Sequence, residues 1–162
     1  MQQTSAQTTT RMHGKNSEPV VIVDADAIIS FVYVGDENHP RAKAIMQHLA
    51  TSQSSLLFPT TAICEAVTVL RGKLHRPEDA SRIVHKFQSG DFPIQAVDQQ
   101  ILSDAAGLYN PQSSKKNTLF DAVVAALAKQ LHADAIFSFD GWYRKIGLTL
   151  ASDLMEHSKE AA

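Results

Sequence analysis

The sequence predicts an α/β protein of three layers, α/β/α, built on a central parallel sheet of five strands. Two observations carry that prediction. Short apolar, β-branched runs alternate with stretches of helical periodicity along most of the chain, and such alternation builds parallel sheets covered by helices on both faces. In addition, 162 residues at 44% hydrophobic content are enough for one domain with a substantial core. No internal repeat and no second domain interrupts the pattern.

Residues 1–18 are rich in Gln, Ser and Thr without a hydrophobic segment, so they are expected to form a disordered tail, not a secretory signal. The domain is expected over 19–153. Val20-Val21-Ile22-Val23, set off by Pro19, reads as a buried strand. Ile28 to Val34 begins a short helix, 35–40 is a loop, and Arg41 to Ala50 is a helix with Ala44, Ile45, His48 and Leu49 on one side. Leu56-Leu57-Phe58, closed by Pro59, is the second strand. Thr60-Thr61 caps a helix over Ala62 to Leu74, whose stripe of Ile63, Val67, Leu70 and Leu74 should face the core. Pro77 opens a further helix and Gly90 ends it. Phe92 to Val97 is the third strand, and Asp98 caps a helix running to about Tyr109. A polar loop, 110–117, precedes an Ala-rich helix opened by Thr118 and packed through Val123, Val124, Leu127 and Leu131. Ala133 to Phe139 is the fourth strand, followed by Asp140 and a short turn through Trp142 and Tyr143. Leu148 to Ala151 supplies the fifth strand, and 154–162 is a polar C-terminal tail.

Composition narrows the chemistry. A net charge of −2 marks no global nucleic-acid binder, so a polyanion would need a local basic patch or bound cations. The single cysteine, Cys64, excludes an intrachain disulfide and a multi-thiolate zinc site. The seven His residues lack zinc-ligand spacing. No apolar run approaches membrane-spanning length. These features point to a reducing, cytoplasmic setting.

The carboxylates are more informative. Asp24 and Asp140 follow apolar strands, while Glu65 and Asp121 lie in the first turns of helices. In a parallel sheet, strand carboxyl ends and the starts of the following helices share one edge, where ligands collect. Asp24, Glu65, Asp121 and Asp140 are therefore expected to meet there, with Asp26 close by. Each has a purely structural reading. Asp24 or Asp26 can cap the next helix, Thr118-x-x-Asp121 is a capping pattern, Glu65 favours a helix dipole, and Asp140 can cap the turn at Gly141. All four serving structure alone at one edge is the weaker reading. Crowded carboxylates repel and call for a cation, and oxygen ligands without His or Cys suit Mg²⁺ or Mn²⁺. Such an ion makes water acidic enough to attack a phosphodiester and offsets the charge that develops. No convincing nucleophilic side chain competes with that scheme.

These residues resemble the PIN-domain ribonucleases, and most of all the VapC-like toxins of type II toxin–antitoxin pairs, over roughly 20–153. Val21-Ile22-Val23-Asp24 matches the family's apolar strand ending in Asp. Thr61-Ala62-Ile63-Cys64-Glu65 matches its Glu early in a helix, and Leu119-Phe120-Asp121-Ala122 its Asp opening an Ala-rich helix. Ser138-Phe139-Asp140 matches its Thr/Ser-x-Asp at a strand end. Two departures stand out: Ala25 and Asp26 occupy positions where the family often has Thr or Ser and then Asn or Ser, and the 110–117 loop is long.

The resemblance implies a PIN-like five-stranded sheet and Mg²⁺- or Mn²⁺-dependent endoribonuclease activity. It implies Asp24, Glu65, Asp121 and Asp140 as catalytic and metal-holding residues; Asp26, a departure from the family, adds a charge expected to tune the metal or to bind a second one. Ser138 would orient Asp140 or a metal-bound water. It also implies homodimers and a cognate antitoxin that blocks the site. RNA would need basic contacts, for which Lys115 and Lys116 are the first candidates. Arg71, Lys73, Arg76, Arg144 and Lys145 come next, each also explicable as a solvated helix end. Trp142 and Tyr143 suit either base stacking or core packing. Two other readings stay open: a haloacid-dehalogenase-like phosphatase using Asp24 as nucleophile, and a non-catalytic PIN-fold RNA-binding module.

Overall fold

The computed structural model of the protein describes residues 18–110, 112 and 117–160. The expected tail residues 1–17 and the candidate RNA contacts Lys115 and Lys116 lie outside the described residues. Among those described, four strands form one parallel sheet in the order β3-β2-β1-β4, with β1 Val20–Val23, β2 Ser55–Pro59, β3 Ile94–Gln95 and β4 Ala135–Phe137. Ile22 pairs with Leu57 on one side and Ile136 on the other, so β1 is central. That explains its unbroken apolar run, because both of its faces are covered.

Alternation along β1 sorts the core into layers. Val21 and Val23 pack with α1 (Ala25–Val32), α2 (His39–Thr51), α3 (Thr60–Thr68) and α4 (Pro77–Gln88). Ile22 faces the opposite side, where it meets Val124, Ala125 and Ala128 of α6 (Leu119–Gln130) and Tyr143 of α7 (Trp142–Lys145). The alanines of α6 let it lie close to the sheet, and α5 (Gln99–Leu108) packs on its outer side through Ile101 and Ala105. The three-layer α/β/α arrangement is as the sequence predicts.

The fifth strand is a correction. Leu150 makes only an isolated parallel bridge to Ile136, with Ile136 N–H donating to Thr149 O at 2.8 Å. The Leu150 N–H donates instead to Asp153 Oδ2 at 3.0 Å, which turns the chain into α8 (Ala151–Glu160). The polar C-terminal residues are thus helical as far as Glu160. The third strand also contracts, to two residues behind Pro93, although Phe92 remains buried and stacks on Phe58 at 4.1 Å.

The helix carrying Glu65 departs from the expected stripe. After Thr68 it widens into a π-helical turn over Val69–Lys73, closed by Leu74 N–H to Val69 O at 3.0 Å. The extra residue in that turn rotates the residues beyond it around the helix axis. Leu70 stays buried, but Leu74 is exposed, contrary to expectation.

Candidate active site

Asp24 stands one residue beyond β1 and is the N-cap of α1. Its Oδ1 accepts the Ala25 N–H at 2.7 Å, and its Oδ2 accepts the Tyr143 hydroxyl at 2.7 Å. Both side chains are buried, Asp24 at 4% and Tyr143 at 0% exposure. Burial holds the Asp24 pKa well above the ordinary carboxylate range; the charges of Asp26 and Asp121 push the same way, against the two hydrogen bonds.

Asp26 lies in the first turn of α1 but faces the end of β4. Its Oδ2 accepts both the Ser138 hydroxyl at 3.0 Å and the Phe139 N–H at 2.8 Å. Its Oδ1 is buried without a hydrogen-bond partner among the described residues, a costly state for a charged oxygen. Burial lifts its pKa to about 6 despite the bonds from Phe139 and Ser138. Ser138 in turn accepts the Asp140 N–H at 3.1 Å, so one hydroxyl links Asp26 to the backbone that carries Asp140. Asp140 Oδ1 accepts the Trp142 N–H at 2.8 Å, and its Oδ2 accepts from Asn117 at 3.4 Å.

Asp121 completes a capping box with Thr118: its Oδ2 accepts the Thr118 N–H, and the Thr118 hydroxyl caps α6. The capping reading of this acid is therefore realised. It does not remove the electrostatic one. Burial raises the Asp121 pKa, Thr118 opposes the rise, and Asp140 adds to it. Glu65, half-buried in α3, accepts no side-chain hydrogen bond among the described residues. Burial, then Asp121 and Asp26, lift its pKa to about 7, and Lys73 draws it down.

The repulsions share a centre. Asp121 acts on Asp24, on Asp26 and on Glu65, and Asp140 acts on Asp121. Acids from the end of β1, from α1, α3 and α6, and from the segment after β4 thus lie in one electrostatic neighbourhood at the carboxyl edge of the sheet. As the side chains lie, no group of three or more His, Cys, Asp or Glu among the described residues could hold a metal ion. Protein donors already engage oxygens of Asp24, Asp26, Asp121 and Asp140. An ion such as Mg²⁺ binds through only one or two carboxylates and retains waters. The carboxylate oxygens are of the donor type that hard divalent cations take, but as they lie they do not close into a ready-made metal site among the described residues.

The basic candidates separate. Lys73, on the π-helical turn, is the cation whose charge reaches Glu65. Arg71 is exposed on the same turn. Arg76 is engaged by the buried Asp79 at 2.7 Å, which also takes Arg82 at 2.9 Å. Arg144 is held by Asp153, with Ser152 at 3.2 Å, so its first role is to tie α7 to α8. Tyr143, open between stacking and packing in the sequence, is a core residue whose hydroxyl reaches Asp24. No local signal announces that bond, or the one from Asn117 to Asp140, because both join segments distant along the chain.

A family model described as PIN, the PIN domain, matches residues 21–147. Among solved structures, the crystal structure of Mycobacterium tuberculosis VapC20, titled as a Sarcin-Ricin loop cleaving toxin, is similar in fold. Its TM-score is 0.69 at 16% sequence identity, over 80% of this chain and 96% of that one. No curated protein matches the chain.

Proposed function

We propose, from the premise that this chain belongs to the PIN-domain family, that it is a divalent-metal-dependent endoribonuclease, the toxin of a toxin–antitoxin pair. The observation that carries the reading is the set of mutually repelling carboxylates around Asp121, one of whose neighbours, Asp26, keeps a buried oxygen without a hydrogen-bond partner among the described residues. A protein does not gather such charges for stability. They become tolerable when a cation sits among them.

Asp24, Asp121 and Asp140 would hold Mg²⁺ or Mn²⁺, one or two of them directly and the rest through retained waters, with Glu65 and Asp26 as further oxygen donors. The ion supplies Lewis acidity, making water more acidic and offsetting charge on the phosphate. Glu65, whose carboxylate no hydrogen bond from the described residues fixes and whose pKa is about 7 in the metal-free protein, is suited to carrying a proton when it is not itself on the ion. Ser138 and Asp26 hold the segment bearing Asp140. Lys73 and Arg71 are the described side chains best placed to meet the RNA backbone, with Lys115 and Lys116 as further candidates.

The phosphatase reading is disfavoured by the PIN-domain match over residues 21–147. A trapped aspartyl-phosphate at Asp24 would revive it. The non-catalytic reading predicts RNA binding without cleavage. RNA cleavage that requires Mg²⁺ or Mn²⁺, stops with a chelator and falls at least a hundredfold in Asp24→Asn and Asp121→Asn supports the nuclease. Metal-independent cleavage, or none on structured and single-stranded RNA alike, overturns it. The proposal includes a second copy of the chain and an antitoxin as partners. Light scattering tests the first, and inhibition by the product of a small neighbouring gene tests the second. No helix among the described residues is long and apolar enough to cross a membrane.

A further inference from the structure

We propose that the buried Tyr143 hydroxyl is a positioning group for the Asp24 carboxylate, fixing the orientation in which Asp24 meets a divalent cation. The inference rests on the nuclease reading above and deepens it.

Tyr143 is fully buried on the short helix α7. Its ring fills a site among Ile22, Val124, Ala125, Ala128, Ile136 and Leu150. Trp142 packs against that ring edge-on at 5.2 Å, and the Tyr143 carbonyl accepts the Leu148 N–H at 3.0 Å. The ring is therefore fixed from all sides, and a phenylalanine would fill the same apolar space. The hydroxyl is the additional feature. A buried phenol needs a partner, and this one has Asp24 Oδ2 at 2.7 Å, across 119 residues of sequence.

That bond has a geometric consequence. Ala25 N–H holds Oδ1 and Tyr143 holds Oδ2, so both ends of the carboxylate are anchored and its plane cannot turn freely. Each oxygen of a carboxylate has about two acceptor directions. With one used on each, the remaining directions are set by the fold. Partners of this kind orient metal ligands, and their loss typically lowers metal affinity by about 10–100-fold. The brace is reciprocal across the sheet edge. Asp26, from the β1 side, grips Ser138 and Phe139 beyond β4, while Tyr143, from beyond β4, grips the acid at the end of β1.

The test is a calorimetric titration of the full chain with Mn²⁺ alone, comparing the native sequence, Tyr143→Phe, Asp24→Asn and the double variant. Tyr143→Phe is expected to melt cooperatively and to bind Mn²⁺ about tenfold more weakly or worse. In RNA cleavage its half-saturating Mn²⁺ concentration should rise by the same factor, with the KM for RNA unchanged. Adding Tyr143→Phe to Asp24→Asn should change Mn²⁺ binding no further. Native Mn²⁺ affinity in Tyr143→Phe overturns the positioning role. Should that variant not fold, Tyr143→Met, a flexible filler of the same space, takes its place under the same criterion. Native affinity in Asp24→Asn is a different failure, and it removes the metal-site reading itself.

Discussion

Asp26 and Ser138, 112 residues apart in sequence, meet at the edge of the sheet, with the Ser138 hydroxyl donating to Asp26 Oδ2 at 3.0 Å. The same oxygen takes the Phe139 N–H. A carboxylate that the sequence offers as an extra metal ligand is thus also a brace for the segment leading to Asp140. The brace uses Oδ2 alone, and Oδ1 has no hydrogen-bond partner among the described residues.

Replacing Asp26 separates its charge from its hydrogen bonds. Asp26→Asn keeps one oxygen to accept from Ser138 and Phe139 and removes a charge that burial disfavours. At pH 8 and without metal, the variant should be more stable than the native protein by on the order of 1 kcal/mol. At pH 4, where the native carboxyl is already protonated, the gain should vanish. Thermal melts at the two pH values check this, and Mn²⁺ affinity should fall in the same variant.

The raised acids also set the pH dependence of the metal-free fold. Between the ordinary value of 3.8 and the folded value of about 6 for Asp26, the native state binds more protons than the unfolded chain. The same holds for Glu65 between 4.5 and about 7. Stability in that window therefore falls as pH rises. Metal-free protein should melt at a higher temperature at pH 5 than at pH 8. A melting temperature that climbs steadily from pH 5 to pH 8 would contradict the burial of these acids.

Divalent ions should reverse that trend. Mn²⁺ at a hundred times its Kd should stabilise the protein by about 2.7 kcal/mol through mass action. The effect should be larger at pH 8 than at pH 5.5, because protons compete for the same oxygens. Asp121→Asn should reduce the gain most, given that Asp121 acts on Asp24, Asp26 and Glu65. Its metal-free stability should change by no more than about 1 kcal/mol, since the amide oxygen can still accept from Thr118. Differential scanning calorimetry reads both effects.

Lys73 and Arg144 should behave differently although both are exposed cations. Lys73→Gln should raise the KM for RNA, flatten the salt dependence of binding by about one ion, and move the acidic limb of the pH–rate profile upward by releasing Glu65 from a neighbouring positive charge. Arg144→Gln should leave RNA binding near native and lower the melting temperature slightly, through loss of the contact with Asp153. Filter binding across a salt series distinguishes the two.

The parts of the structure legible in the sequence are those set by local pattern. β1 shows itself by four apolar residues before Asp24, and α6 by Thr118 and Asp121 ahead of an alanine-rich face. The shared edge comes from the parallel topology alone. The features that stayed hidden depend on distant partners. Leu148 to Ala151 has a strand's composition, yet the Asp153 carboxylate takes the Leu150 N–H and starts a helix. The π-helical turn that exposes Leu74 leaves no compositional trace. The Tyr143 hydroxyl gains its meaning only when α7 folds back over β1.

Anomalous diffraction from crystals soaked in Mn²⁺ addresses the clustering of the acids most directly. A single strong peak is expected, bounded by Asp24, Asp121 and Asp140, with the Asp24 carboxylate still held by Tyr143. A peak bound elsewhere, or no peak at a Mn²⁺ concentration that supports cleavage, would contradict a shared metal site at this edge of the sheet.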